Sequence, residues 1–285
     1  MIQVIATTPY TDQKMGTAGL RKKSKVVMQE HYFENFLQSI FNTIDPAGKT
    51  FVVGGDGRFY NSIAIQKLIK MAAANGVKKL IVGQNGFLST PASSNMILKR
   101  RTDGGFVLSA SHNPGGENGD FGIKFATETG GQCSSLVSDR IFAVSQTISE
   151  FKTVDAADID LSRLGMQNLE GMEIEIVDPI SDYVELMEKI FDFELIKKMF
   201  ADGFTMRFDA MNAVTGPYAI RIFEEILGAA KGSVLNAVPK PDFGGLHPDP
   251  NLVYAKELVN IMYADDAPDF GAANDGDGDR NMILG

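Results

Sequence analysis

The sequence predicts an α/β protein made of two consecutive three-layer α/β/α units with mixed, mostly parallel sheets. Three observations carry this. Short apolar runs bounded by glycine alternate with amphipathic helical stretches, the pattern of strands crossing over through helices. The alternation fades after residue 150 and restarts near residue 178. The 285 residues give room for about two domains.

Phe51-Val52-Val53, Leu80-Ile81-Val82 and Phe106-Val107-Leu108 are brief and β-rich, and they read as buried strands. Between them Tyr32, Phe33, Phe36, Leu37, Ile40, Phe41 and Ile44 recur at helical spacing. So do Ile65, Leu68, Ile69 and Ala72, with Asn75-Gly76 as the stop signal. Thr90-Pro91 reads as a cap followed by proline in the first helical position. A helix from about 136 to 149 closes the first unit, and the polar residues 150–171 read as an irregular excursion. In the second unit helices are expected over about 180–201 and 217–228. Strands are expected at Met206-Arg207-Phe208, Val234-Leu235 and Phe270-Gly271-Ala272-Ala273. Asn281-Met282-Ile283-Leu284 reads as one more strand, and its position suggests that the second unit is incomplete.

Composition narrows the function. A net charge of −9 and the lack of a basic arm argue against nucleic acid. The apolar runs are too short to span a bilayer. One cysteine, Cys133, suits a reducing compartment, and no His/Cys cluster has zinc spacing. The expectation is a cytoplasmic enzyme.

Four segments carry chemistry. Ser109-Ala110-Ser111-His112-Asn113-Pro114-Gly115-Gly116 follows a strand and turns tightly. A hydroxyl there can reach a substrate phosphate at the carboxyl edge of the sheet; the alternative is a polar turn whose serine caps the backbone. Asp275-Gly276-Asp277-Gly278-Asp279-Arg280 alternates carboxylates with glycine, so an extended segment would present all three acids on one side, and the glycines let it curl until the oxygens converge on one ion. Such oxygens suit Mg²⁺. The calcium EF-hand fails, because its sixth position requires glycine and here is Arg280; a solvated acidic turn is the other alternative. Gly16-Thr17-Ala18-Gly19-Leu20-Arg21-Lys22 places one arginine among small residues, suited to a phosphate or to a surface loop. Gly119-Asp120-Phe121-Gly122-Ile123-Lys124-Phe125 is a turn and strand carrying Lys124 inward or outward. Val53-Gly54-Gly55-Asp56-Gly57-Arg58 matches no nucleotide-binding fingerprint, and turn formation accounts for it. His247, in a proline-rich loop, reads as structural or exposed, and His31 needs no function.

These segments, in this order, resemble the α-D-phosphohexomutases, and within them the eukaryotic-type phosphoglucomutases. The likeness extends through residues 53–58, 72–76 and 244–251. It implies a phosphohexomutase-like fold of four domains around a cleft. Residues 1–175 would form the first domain, with the phosphoserine loop. Residues 176–285 would form most of the second, with the metal loop.

The resemblance also implies an activity: glucose 1-phosphate and glucose 6-phosphate interconvert through glucose 1,6-bisphosphate and a phosphorylated Ser111. Asp275, Asp277, Asp279 and an oxygen on Ser111 would hold Mg²⁺. Arg21, Asp279 and Arg280 would contact substrate, and His112 and Lys124 would assist proton movement. The expected partner is a small hexose phosphate and the expected state a monomer. The family commonly has serine where Ala18 stands. Its sugar-recognition loop and its grip on the non-transferring phosphate lie in the third and fourth domains. Two other readings are a mutase for another hexose phosphate and a non-catalytic mutase-like scaffold or inactive fragment.

Overall fold

A computed structural model describes residues 1–16 and 19–285. Thr17 and Ala18, including the Ala18 departure, lie outside the described residues. In chain order the strands are β1 Ile2–Ala6, β2 Leu20–Lys23, β3 Thr50–Gly55, β4 Lys79–Phe87, β5 Gly104–Leu108, β6 Asp120–Thr127 and β7 Glu150–Val154. They continue with β8 Gly165–Leu169, β9 Met172–Val177, β10 Met206–Asp209, β11 Val234–Leu235, β12 Phe270–Asn274 and β13 Asn281–Leu284.

The first sheet has the order β2-β6-β5-β3-β4-β9-β8. Its centre, β5-β3-β4-β9, is parallel, and β2, β6 and β8 add antiparallel edges. Helices cover both faces, which is why β3 is an apolar run with no alternation. The helix Tyr32–Ile44 lays Phe33, Phe36, Leu37, Ile40 and Phe41 on one face, all fully buried. Each such side chain contributes roughly 1.5–3 kcal/mol on leaving water. Phe106 of β5 meets Phe41 and Phe51 edge-on, at 5.7 and 5.5 Å between ring centres.

The second sheet, β11-β10-β12-β13, is parallel except for its antiparallel last pair. A shared apolar cluster joins the two sheets, with Leu88, Met96 and Ile97 from one side and Val214 and Tyr218 from the other. Polar ties cross the same seam. Phe59 N donates to Pro241 O at 2.7 Å, and Tyr218 Oη donates to Pro179 O at 3.0 Å.

Several expectations need correction. Residues 150–171 are not an irregular excursion. β7 pairs antiparallel with the amino-terminal β1, in the register Val4↔Lys152, Ile5↔Phe151 and their neighbours. β8 and β9 form a hairpin that extends the first sheet. Its turn, Glu170-Gly171, has positive φ at both residues (49° and 87°), the geometry that matches strand twist. The helix expected over 180–201 is two, Ser181–Ile190 and Phe193–Ala201. Asp192 starts the second by accepting from Leu195 N at 2.9 Å. The 217–228 helix begins at Thr215 and runs as a π-helix over Ile220–Ile226. Ser89, not Thr90, caps the helix Thr90–Arg100, accepting from Ala92 N at 3.2 Å.

Candidate active site

The carboxyl ends of the two parallel cores face each other, and the chemistry-bearing loops emerge there. Ser109 follows β5, Asp56 follows β3, Leu88 follows β4, and Asp275 follows β12. Ligands bind at this end of open α/β sheets.

Ser111 is 1% exposed and takes a left-handed backbone, φ 55°. A non-glycine residue held this way stores roughly 1 kcal/mol of strain, so its surroundings must over-determine it. They do. The Ser109 hydroxyl oxygen accepts from Ser111 N at 2.8 Å. The Arg58 guanidinium donates to Ser111 O at 2.7 Å and to Asp120 O at 2.8 Å. Arg58 is 1% exposed and forks onto Asp56, at 2.9 Å from Nε and 2.8 Å from Nη2. Burial pushes the Asp56 carboxyl up, and Arg58 draws it back down. The Phe243 ring of the second unit stacks 5.2 Å from the guanidinium. Turn formation therefore does not account for the 53–58 segment: its ion pair clamps the serine loop. Only the pairing of two charges immediately after a buried strand hinted at this.

The acids converge because residues 275–280 curl into a turn. Asp275 Oδ1 accepts from the backbone N of Gly278, Asp279 and Arg280 at 3.0, 3.0 and 3.1 Å. Gly278 supplies the positive φ of 78° that the turn requires. The other oxygen, Asp275 Oδ2, accepts the Ser111 hydroxyl at 2.7 Å. That bond joins residues 164 positions apart.

Asp275, Asp277 and Asp279 each present a carboxylate oxygen within 4.8 Å of the others. Burial, aided by the Asp277 charge, pushes the Asp275 carboxyl up to about 7. Burial presses on Asp277 as well, but the Lys124 ammonium and the Thr90 hydroxyl outweigh it and hold that carboxyl below its usual range. Lys124 points inward, is 3% exposed, and pairs with Asp277 and, at 3.5 Å, with Asp279. Thr90, which sequence reasoning did not place in the site, donates to Asp277 Oδ2 at 2.6 Å and takes Asp277 O on its backbone N at 2.9 Å.

Whether these residues fit a cation is decided by what is left over. Three carboxyl groups face one ammonium, and their crowding is what raises the Asp275 carboxyl beyond the effect of burial. Asp277 Oδ1 is buried with no hydrogen-bond partner among the described residues, an arrangement that costs energy unless an electropositive group meets it. A hard divalent cation fits both facts.

The remaining candidates sit around the mouth. His112 follows Ser111, and its Nδ1 accepts from Arg280 Nη1. Burial, then the charge of Arg280, hold its pKa below the usual imidazole value. Arg21 stands on β2 opposite Gly122, near enough that its charge also acts on His112. Its Nε is buried without a partner among the described residues. His31 packs edge-on against Phe151.

The carboxylate turn and the serine loop touch at Gly276, where a Cβ would stand 2.5 Å from Ser111 O and 3.4 Å from Arg58 Nη2. Gly276→Ala should therefore destabilise the protein by about 1–3 kcal/mol, seen as a lower urea midpoint. An unchanged midpoint would mean that the two loops are not in register.

Two family models match the chain: "Phosphoglucomutase/phosphomannomutase, alpha/beta/alpha domain I" over residues 12–152, and domain II of the same family over 181–285. A phosphoglucomutase from Rhizobium radiobacter is 56% identical over 100% of the chain, which covers 53% of that protein. One from Emericella nidulans is 50% identical, again over 100% of the chain and 52% of that protein. The crystal structure of Paramecium pp63/parafusin, described as a phosphoglucomutase in its open form, superposes with a TM-score of 0.96 at 46% identity. The match covers 100% of this chain and 55% of that one. The chain thus spans about half the length of the relatives it matches.

Proposed function

Because the chain belongs to the phosphoglucomutase/phosphomannomutase family, we propose that it carries the phosphoryl-transfer machinery of a phosphoglucomutase. The substrates would be glucose 1-phosphate and glucose 6-phosphate, with glucose 1,6-bisphosphate as activator and intermediate. The observation that carries this reading is the Ser111 hydroxyl resting on Asp275, within a trio of acids drawn from the other end of the chain.

In this scheme Ser111 Oγ attacks a phosphoryl group of the bisphosphate. A bond from Oγ to phosphorus forms, the sugar O–P bond breaks, and the serine proton leaves through the oxygen of Asp275 that already accepts it. By the family resemblance, His112 and Lys124 would assist proton movement to the departing sugar oxygen. The reverse transfer returns the phosphoryl group to the other sugar hydroxyl. Arg21 and Arg280, with Asp279, would hold and orient the substrate, and fixed donors aimed at the spreading negative charge supply much of the rate.

Asp275, Asp277, Asp279 and Ser111 Oγ would hold Mg²⁺, which when bound supplies charge neutralisation and Lewis acidity. Thr90 and Lys124 keep Asp277 ionised and oriented for that role. A cation at about 100 times its dissociation constant should stabilise the protein by about 2.7 kcal/mol. Mg²⁺ should therefore raise the melting temperature, and Asp277→Asn should abolish most of the rise. An equal rise in the variant would remove Asp277 from the ligand set.

The whole reading is tested by incubating purified protein with Mg²⁺ and glucose 1,6-bisphosphate and weighing it. One added phosphoryl group on Ser111 supports it; an unmodified protein overturns it. We place the protein in the cytoplasm, supported by a lone unpaired cysteine and a cytoplasmic relative from Populus tremula, and propose a monomer on the family resemblance alone. Among the described residues no helix is long and apolar enough to cross a membrane.

A further inference from the structure

The second unit brings an imidazole to the mouth that the scheme above does not use. His247 stacks flat on Tyr254, with ring centres 4.3 Å apart and planes 13° from parallel. The His112 ring lies 6.3 Å from it, inclined at 45°. The loop between them is held by its own bonds. Asp249 N donates to His247 O at 2.9 Å, and Asn251 Oδ1 accepts from the backbone N of Val253 and Tyr254 at 2.9 and 3.1 Å. Pro248 and Pro250 restrict the backbone further. Despite this order, His247 Nδ1 is buried and unpartnered among the described residues, an exception that calls for a reason.

His112 supplies one. A guanidinium has only donors, so Arg280 obliges His112 Nδ1 to accept. The neutral His112 ring then carries its proton on Nε2 and can donate it to an anion. The charges that act on His112 are two guanidinium groups, Arg280 and Arg21, the neighbouring His247, and one carboxylate, Asp249. Two arginines and two imidazoles beside Asp249 and the acid trio give the mouth donors that suit a phosphate group. A ring serving only as packing would need neither the approach to His112 nor an orphaned nitrogen.

We infer that His247, braced by Tyr254, is a contact for the phosphate of the bound sugar phosphate, contributed by the second unit opposite His112. This rests on the mutase reading for the identity of the ligand. It adds a second-unit contact to the substrate beside Asp279 and Arg280.

The chain has three histidines, which makes the test direct. Purified Mg²⁺-loaded protein is titrated with inorganic phosphate and then with glucose 6-phosphate, following the ring signals by NMR. His31→Gln and His247→Gln variants assign the signals. The His112 and His247 signals should move together with one saturation curve, while His31, packed on Phe151, stays still. His247→Gln should weaken glucose 6-phosphate binding about tenfold, the scale of one charge-assisted hydrogen bond. Tyr254→Leu should weaken it in the same direction. A stationary His247 signal, or unchanged affinity in His247→Gln, overturns the inference. Failure of the mutase reading shows separately, as an unphosphorylated Ser111 in protein whose histidines still respond to phosphate.

Discussion

On the proposed phosphoryl-transfer role, Ser111→Ala will take up no phosphoryl group from glucose 1,6-bisphosphate and will show transfer only at background. Removing the proposed nucleophilic atom leaves nothing to replace it, and losses on the order of 10⁶ are the scale for such a deletion. The fold should survive. Ser111 is small, its loop is fixed through backbone groups by Ser109 and Arg58, and alanine keeps the Cβ. The change removes one donor from Asp275 Oδ2 but leaves the three backbone donors on Oδ1 in place. The variant should therefore still show a Mg²⁺-dependent rise in melting temperature. A labelled phosphoryl group on the alanine variant would move the nucleophile elsewhere.

The second large effect falls on stability. Arg58→Met fills a similar volume but strands the Asp56 carboxylate in the interior and leaves Ser111 O and Asp120 O without their donor. Breaking one side of a buried ion pair costs about 3–5 kcal/mol, against the roughly 5–15 kcal/mol that holds most domains together. Urea unfolding should show the loss at neutral pH. It should shrink as the pH is lowered, because protonating Asp56 removes the stranded charge. The sign follows from burial raising the folded-state pKa of Asp56: stability is present below that pKa and is lost as the pH rises through it. Asp56→Asn combined with Arg58→Met should recover part of the deficit. A single variant as stable as the parent at neutral pH would mean that Arg58 does not hold the serine loop.

Much of this molecule was legible in its residues. The aromatic helix Tyr32–Ile44 and the runs inside β3, β4 and β5 announce themselves, because burial on both sheet faces demands uninterrupted apolar side chains. The carboxylate turn was legible as chemistry and, through its glycines, as a segment that curls. What spacing did not show is that Asp275 itself holds the curl by accepting from three amide groups.

Strands β7 and β8 were missed for a physical reason. Their composition is polar because each borders solvent, and β7 is fixed by pairing with β1 at the other end of the domain. Their faint signals were the alternation in Glu150-Phe151-Lys152-Thr153-Val154 and the Glu170-Gly171 turn. The Arg58 clamp was least legible. Its partners, the carbonyls of Ser111 and Asp120, are backbone atoms from distant segments and leave no mark in side-chain spacing.

One divalent ion shared by two remote stretches of chain is the claim on which the rest stands. A crystal structure of the protein soaked with Mn²⁺, read by anomalous scattering, tests it most directly. The account predicts a single ion touching Asp275, Asp277, Asp279 and the Ser111 side-chain oxygen, with ligand distances of roughly 2.0–2.2 Å. An ion bound elsewhere, or one held by the acids with the serine oxygen outside its coordination sphere, would contradict it.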